Sequence, residues 1–212
     1  MEETIPLQKE ENKEKPKEQP EVSTSPLTSL RILAFAGSNS RASINKRLVQ
    51  YTLRFFPRQL STLIDLNDFE MPLFSIDREK ETGFPQKVYE FLELIRTHDA
   101  IICSLAEHNR SYTAAFKNIF DWVSRVDKKL FMHKPMFLLS TSPGRGGGKN
   151  VMQTAQTFFP EFDANIIVSF SLPSFTHNFS DEHGITDPEL KSGFREQVEV
   201  FLKRLENNGS VK

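Results

Sequence analysis

A turn of small polar residues, Gly37-Ser38-Asn39-Ser40-Arg41-Ala42-Ser43, lies between an apolar run and a segment with helical spacing. The N–H groups at a helix start are free and carry partial positive charge, so they can bind a phosphate without a lysine. The simplest alternative is that Ser40 or Ser43 only caps the helix. A terminal phosphate, as on a mononucleotide, is the predicted ligand, and its predicted donors or charges are Ser38, Ser40, Arg41, Ser43 and Asn45.

Two more polar loops follow apolar runs further along the chain. The first, Leu105–Ser111, contains Ala106, Glu107, His108 and Asn109, and such groups suit the edge and face of a flat heterocycle. His108 also fits a surface histidine or a general base, although no nucleophile accompanies it in the sequence pattern. The second, Ser142–Gly148, carries four glycines, which let backbone approach a ligand closely or simply form a flexible turn.

Several known motifs are excluded by their spacing. The first turn lacks both the G-x-G-x-x-G dinucleotide fingerprint and the G-x-S-x-G nucleophile elbow. Gly148-Lys149 resembles the end of a P-loop, but Pro143 stands where its first glycine is needed and Asn150 replaces the Ser or Thr. The sequence therefore predicts no catalytic side chain of these classes.

Composition narrows the classes of protein further. The net charge is −1 and no basic stripe interleaved with aromatics occurs, so a nucleic-acid partner is not expected. The single cysteine, Cys103, excludes an internal disulfide and a cysteine-based zinc site, no metal is predicted, and the thiol suits a small core residue better than a redox centre. No apolar run of membrane-spanning length and no signal peptide is present, which predicts a cytoplasmic protein without a membrane partner.

The chain divides into a charged tail, one domain and a short end segment. Residues 1–29 hold seven Glu, four Lys and four Pro, a composition that predicts a disordered tail. The domain is predicted to span residues 30–207, with a tail over 208–212. Five apolar runs predict strands over 32–36, 60–66, 100–104, 135–141 and 166–170, with helices after each. Segment 67–83 is predicted to be a loop, and Trp122 lies off the apolar stripe of its helix, which favours an oligomer contact.

Strands that alternate with helices predict an α/β fold with a parallel, doubly wound sheet. In the five-strand order 2-1-3-4-5, a cleft opens where the first and third strands lie side by side. The loops after strands 1, 3 and 4 then meet at one cleft, and these are the three polar loops described above.

Four motifs in this order resemble the NADPH-dependent FMN reductase family of quinone, azo and chromate reductases. Residues 37–45 match its G-S-x-[RS]-x-x-S-x-N pattern, and 106–111 with 116–122 are similar to P-E-Y-N-G-S and L-K-N-x-x-D-W. Residues 142–148 resemble S-P-G-x-x-G-G, and 65–74 resemble D-L-x-D-x-x-x-P-L-F. In this chain Ala106, His108 and Arg110 replace the Pro, Tyr and Gly of the second pattern.

This resemblance implies a flavodoxin-like three-layer α/β/α fold, FMN as cofactor and NADPH as co-substrate. It also implies electron transfer to a small acceptor, such as a quinone, azo compound, metal oxyanion or free flavin, and assembly as a homodimer or tetramer. The first turn would hold the phosphate, and the flavin ring would be lined by Ala106, Glu107, His108, Asn109, Ser142, Gly144 and Gly146. A flavodoxin-type electron carrier and a non-enzymatic interaction protein on the same fold are the alternatives.

Overall fold

The computed structural model describes residues 30–209. Its central sheet runs in the order β2-β1-β3-β4-β5, and every pair of neighbouring strands is parallel. The predicted α/β fold with sheet order 2-1-3-4-5 is therefore confirmed. The strands are β1 (Ile32–Gly37), β2 (Ser61–Ile64), β3 (Ala100–Leu105), β4 (Pro135–Thr141) and β5 (Asn165–Leu172).

Seven α-helices in the described range connect and cover these strands. Two short antiparallel hairpins pair residues 107–108 with 111–112 and residues 179–180 with 184–185. The helices are α1 (Ile44–Leu53), α2 (Ile76–Thr82), α3 (Gln86–Thr97), α4 (Ala114–Val126), α5 (Lys149–Phe158), α6 (Phe175–Asn178) and α7 (Pro188–Gly209).

The sheet separates two hydrophobic cores because alternate side chains of a strand point to opposite faces. Leu33 and Phe35 of β1 pack in the core shared with α3, α4 and α5. Ile32 and Ala34 pack in the core shared with α1 and α7. With helices on both faces, the inner strands are apolar along their whole length, which is why their runs are readable in the sequence.

The segment after β2 was predicted as a loop and contains helix instead. Leu66–Phe69 forms a 3-10 helix, and α2 starts after Ser75, whose hydroxyl accepts a hydrogen bond from the Arg78 N–H. No residue of α2 is buried, so its sequence has no apolar stripe that would reveal a helix.

The prediction that Trp122 lies outside the core is wrong. Trp122 is fully buried, and its indole N–H donates to the Pro72 carbonyl at 2.7 Å. Phe74 packs against it edge to face with ring centroids 5.0 Å apart, and Phe84 packs at 6.2 Å. The segment before α3 therefore covers Trp122, which cannot serve as an exposed oligomer contact.

Cys103 is buried in β3, and burial raises the pKa of its thiol well above the ordinary value, as expected of a core residue. Between residues 30 and 209, no helix has both the length and the hydrophobicity to cross a membrane. The predicted tails, apart from residues 208 and 209 at the end of α7, lie outside the described residues.

Candidate functional site

A cavity of about 230 Å³ lies where the loops after β1, β3 and β4 meet. Eight of the twelve predicted site residues line it: Ser38, Ser40, Ser43, Asn45, Ala106, Glu107, His108 and Ser142. The others among its described lining residues are Ala42, Ile44, Thr141 and Pro143, and none of these twelve lining residues is a lysine or arginine. The cavity therefore offers neutral donors rather than cations.

The first wall of the cavity is the N-terminus of α1. Ser43 is its cap: its hydroxyl oxygen accepts from the Lys46 N–H at 3.2 Å, so the hydroxyl hydrogen is still free to donate. No acceptor among residues 30–209 takes the N–H groups of Ile44 or Asn45, and both residues line the cavity. Capping and ligand donation, the two alternatives for Ser43, are thus compatible.

Among the described residues, no lysine or arginine side chain lines this wall of the cavity. The Lys46 ammonium pairs with the Asp65 carboxylate at the end of β2. The hydrogen bond from Lys46 is the main cause that lowers the pKa of Asp65 below its ordinary value. Because Lys46 is held by Asp65 and Arg41 does not line the cavity, the donors that the first loop presents to the cavity are backbone N–H groups and hydroxyls.

The Asn45 side chain joins this helix to the two strands beside it. Its amide oxygen accepts from the Ser104 hydroxyl at 2.7 Å and from the Thr141 N–H at 3.1 Å, and its amide nitrogen donates to the Thr141 carbonyl at 3.2 Å. Ser104 precedes the second loop and Thr141 precedes the third. The buried Asn45 amide therefore fixes the relative positions of all three loops.

Glu107 links the second loop to α5. One carboxylate oxygen accepts from the Asn150 side-chain amide at 3.0 Å and the other from the Val151 N–H at 3.0 Å. Gly148, the residue at the N-cap position of α5, has no side chain that could accept a hydrogen bond from the helix start. Burial raises the pKa of Glu107, but these hydrogen bonds outweigh it, and the pKa lies below its ordinary value of 4.5.

Asn109 and Arg110 form the two-residue turn of the hairpin that begins at Glu107. Both have positive φ, 50° and 64°, which is the backbone of a type I′ turn. Such turns favour Asn followed by Gly, so Arg110 occupies a position where a side chain is strained. Neither residue lines the cavity, whereas His108, at the end of the strand, does.

The third loop uses its glycines in two ways. Gly147 has φ 59°, and a Cβ there would lie 2.7 Å from the Ser171 hydroxyl and 2.9 Å from the Pro173 nitrogen. Its carbonyl accepts hydrogen bonds from the Ser140 and Ser171 hydroxyls. Gly144 and Gly146, which are the predicted ligand-facing glycines, have nothing within 4 Å of an added Cβ and border open space.

The structure brings eight of the predicted residues together around the cavity, and four do not line it: Arg41, Asn109, Gly144 and Gly146. The positioning contacts were not foreseen. Thr113 caps α4 and donates to the Gly37 carbonyl at 2.9 Å, which ties the start of α4 to the first loop. A Thr just before a helical stripe signals a cap, but its distant partner has no local signal.

Most of the chain matches one known protein family. Residues 30–177 match the family described as NADPH-dependent FMN reductase. The chain belongs to this family. The predicted family, the FMN cofactor and the oxidoreductase class that uses NAD(P)H are therefore confirmed.

Proteins similar to this chain include an FMN reductase, a quinone oxidoreductase and an NAD(P)H:(acceptor) oxidoreductase. An NAD(P)H-dependent FMN reductase of Pseudomonas aeruginosa is 34% identical over 119 residues, which is 56% of this chain and 63%, or slightly under two thirds, of the relative. A probable NADPH:quinone oxidoreductase 2 of Oryza sativa subsp. japonica is 27% identical over 197 residues, covering 88% and 95% of the two chains. The solved flavoenzyme FerB, an NAD(P)H:(acceptor) oxidoreductase from Paracoccus denitrificans, shares the fold with TM-score 0.66 at 21% identity, covering 84% and 98%.

The residues present fit the cofactor of an FMN reductase. The N–H groups of Ile44 and Asn45, which have no acceptor within residues 30–209, and the hydroxyls of the first loop are the donor set that a phosphate requires at a helix start. The open surface at Gly144 and Gly146 leaves room for a flat ring beside the third loop. No lysine or arginine among the lining residues is needed for either contact.

Proposed function

We propose that this chain binds FMN in the cavity formed by its three loops and uses NADPH to reduce a small acceptor of the quinone class. The observation that carries the proposal is the N-terminus of α1, where the N–H groups of Ile44 and Asn45 and the hydroxyl of Ser43 border a cavity without cations. A nucleotide phosphate satisfies these donors at once. With its phosphate held there, the flavin ring would lie between the second and third loops.

The side chains position the cofactor rather than react. FMN, when bound, supplies the hydride-accepting redox chemistry. Ser38, Ser40 and Ser43 would hold its phosphate, while Asn45 keeps the helix start at a fixed place between β3 and β4. Glu107 is engaged with α5, so the second loop offers its backbone and His108 to the ring. No catalytic acid or base is required of the chain.

Absorbance spectroscopy under anaerobic conditions tests this function. Protein mixed with FMN should show the absorbance bands of bound oxidised flavin, and stoichiometric NADPH should bleach them. A bound flavin that stays oxidised would instead favour the electron carrier, which takes electrons from a protein partner. A protein that leaves all FMN free would favour the interaction protein.

The acceptor and the compartment extend the same proposal. Since no lysine, arginine or aspartate of the described chain lines the cavity and its one carboxylate, Glu107, is engaged with α5, an uncharged planar acceptor such as a quinone fits best. The proposed location is the cytoplasm, where NADPH is available as the co-substrate. Rates with a quinone, an azo dye and a metal oxyanion, compared at equal NADPH, would rank the acceptors, and a faster oxyanion would contradict the choice.

A homodimer is the expected assembly, formed through exposed apolar residues just before and at the start of α2 and not through Trp122. Leu73 is 74% exposed and Ile76 is 58% exposed, and the two lie three residues apart. Burial of such side chains in an interface is favourable by about 1.5–3 kcal/mol each. Light scattering should show a dimer for wild type and a monomer for Leu73→Glu. A variant with the same mass as wild type would exclude this surface as the interface.

A further inference from the structure

Each of the three loops carries an arginine at its exposed tip. Arg41 lies between two lining residues of the first loop, Arg110 is on the hairpin turn and Arg145 is in the glycine-rich loop. None of the three donates a hydrogen bond or forms an ion pair with a residue in the described range. By contrast, Arg47 and Arg125 pair with carboxylates of Asp181 and Glu79.

The three loops together with Lys149 at the start of α5 are called the rim below, and the charge of this rim differs from that of the chain as a whole. Arg41, Arg110, Arg145 and Lys149 are its cations, and Glu107 is the one carboxylate of the three loops and is engaged with α5. The whole chain carries −1. Thus the cavity holds neutral donors suited to one phosphate, while the exposed arginines lie on the three loops that form it and favour a second anionic ligand beside it.

Arg110 stands out among these residues. Its φ of 64° is a conformation in which the turn favours glycine, so the fold tolerates a local cost to keep this side chain there. The two-residue turn continues directly into His108 and Glu107, which line the cavity. The guanidinium is close enough to Glu107 to lower the pKa of that carboxyl further.

We propose that Arg110, on this rim of unpaired arginines, binds the 2′-phosphate of the incoming dinucleotide and makes the enzyme prefer NADPH over NADH. The proposal rests on the proposed function, since the same cavity holds the flavin. The chemistry follows from the ligands: NADPH differs from NADH by one phosphate dianion, and a guanidinium binds phosphate with two parallel hydrogen bonds. Arg41 and Arg145 serve the diphosphate or steer its approach.

The test uses the FMN-loaded protein and the variant Arg110→Asn. Asparagine tolerates positive φ, so the turn is kept and the charge is lost. Calorimetry should show that adenosine 2′,5′-bisphosphate binds wild type more tightly than adenosine 5′-monophosphate. In the variant the first affinity should fall about five- to twentyfold, as for a partly exposed charged contact, and the second should change less than about twofold.

Turnover gives a second readout and controls complete the design. The variant should lose kcat/KM for NADPH by the same factor and keep that for NADH. Arg110→Lys should recover part of the preference, and Arg110→Gly replaces Arg110→Asn if the latter does not fold. Arg58→Asn removes an exposed arginine next to β2, outside the three loops, and should change nothing.

Three results would overturn the proposal. They are equal losses for both adenosine ligands, no preference in wild type, or an equal effect of Arg58→Asn, which would indicate net charge alone. If FMN is bound but neither dinucleotide reduces it, the proposed function fails, while the calorimetry still decides whether Arg110 contacts the 2′-phosphate.

Discussion

Asn45 and Thr141 exchange two hydrogen bonds: the Asn45 amide oxygen accepts from the Thr141 N–H at 3.1 Å, and its nitrogen donates to the Thr141 carbonyl at 3.2 Å. The asparagine thus imitates a neighbouring strand at the end of β4. With the bond from Ser104 at 2.7 Å, it fixes the start of α1 against two strand ends. The geometry of the cavity depends on this side chain.

Asn45→Ala should lower the free energy of unfolding by about 3 kcal/mol, because it leaves the buried groups of Thr141 and Ser104 without partners. Urea unfolding of the apoprotein measures the loss. Asn39→Ala, at an exposed position of the same loop, should cost less than about 0.5 kcal/mol. Equal stability of the two variants would contradict the role given to Asn45.

The glycines of the third loop should separate by position. Gly147→Ala forces a side chain into positive φ and against Ser171, and should cost about 2–3 kcal/mol. Gly146→Ala meets open space and should change stability by less than about 0.5 kcal/mol. Thermal unfolding compares them, and a stable Gly147→Ala protein would show that the loop takes another conformation.

The link from Glu107 to α5 should depend on pH. Its pKa is lower in the folded protein than in the unfolded chain, so the link stabilises the fold above the ordinary pKa of 4.5 and loses this effect as the pH falls through the folded-state pKa. At pH 7, Glu107→Gln should cost about 1 kcal/mol. The difference from wild type should shrink on acidification, and a constant difference would contradict this assignment.

A control for that measurement is Glu161→Gln, which alters an exposed carboxylate on the 3-10 helix after α5. Its unfolding free energy should follow that of wild type at each pH. If both variants deviate alike, the effect comes from net charge and not from the contact with Val151 and Asn150.

Arg110→Gly should stabilise the protein by about 0.5–1 kcal/mol, because it relieves positive φ in the type I′ turn. The melting temperature of the apoprotein measures this gain. Loss of stability would show that the Arg110 side chain makes a favourable contact that outweighs its backbone cost.

The sequence predicted the sheet because buried parallel strands are short and apolar throughout, as in β1 and β3. It failed for α2, which buries nothing, and for Trp122, which is covered by Phe74 and Phe84 from a distant segment. In each case the deciding contact, or its absence, is tertiary and has no local periodicity.

The site was predicted less completely than the fold. Spacing identified the loops and most lining residues, because the ends of β1, β3 and β4 must meet. It did not reveal that Asn45 bonds to Thr141, 96 residues away, or that Glu107 caps a helix 44 residues away. Both side chains had been expected only to contact the ligand.

Ser43→Asp tests the phosphate wall without removing the helix cap, since Asp caps as well as Ser. A carboxylate near the phosphate reverses the local sign, so FMN binding should weaken at least about tenfold, or 1.4 kcal/mol. Riboflavin, which lacks the phosphate, should change little. His108→Ala should weaken both ligands by a similar factor, because they share the ring, and unequal losses would contradict its place beside the ring.

The most direct measurement is a titration of wild-type apoprotein with FMN and with riboflavin under identical conditions. The N-terminus of α1 is proposed to bind the phosphate, and hydrogen bonds to a charged group contribute roughly 1.5–3 kcal/mol each. FMN should therefore bind more tightly by at least about tenfold. If riboflavin binds as tightly as FMN, the first loop does not hold a phosphate and the assignment of this cavity is wrong.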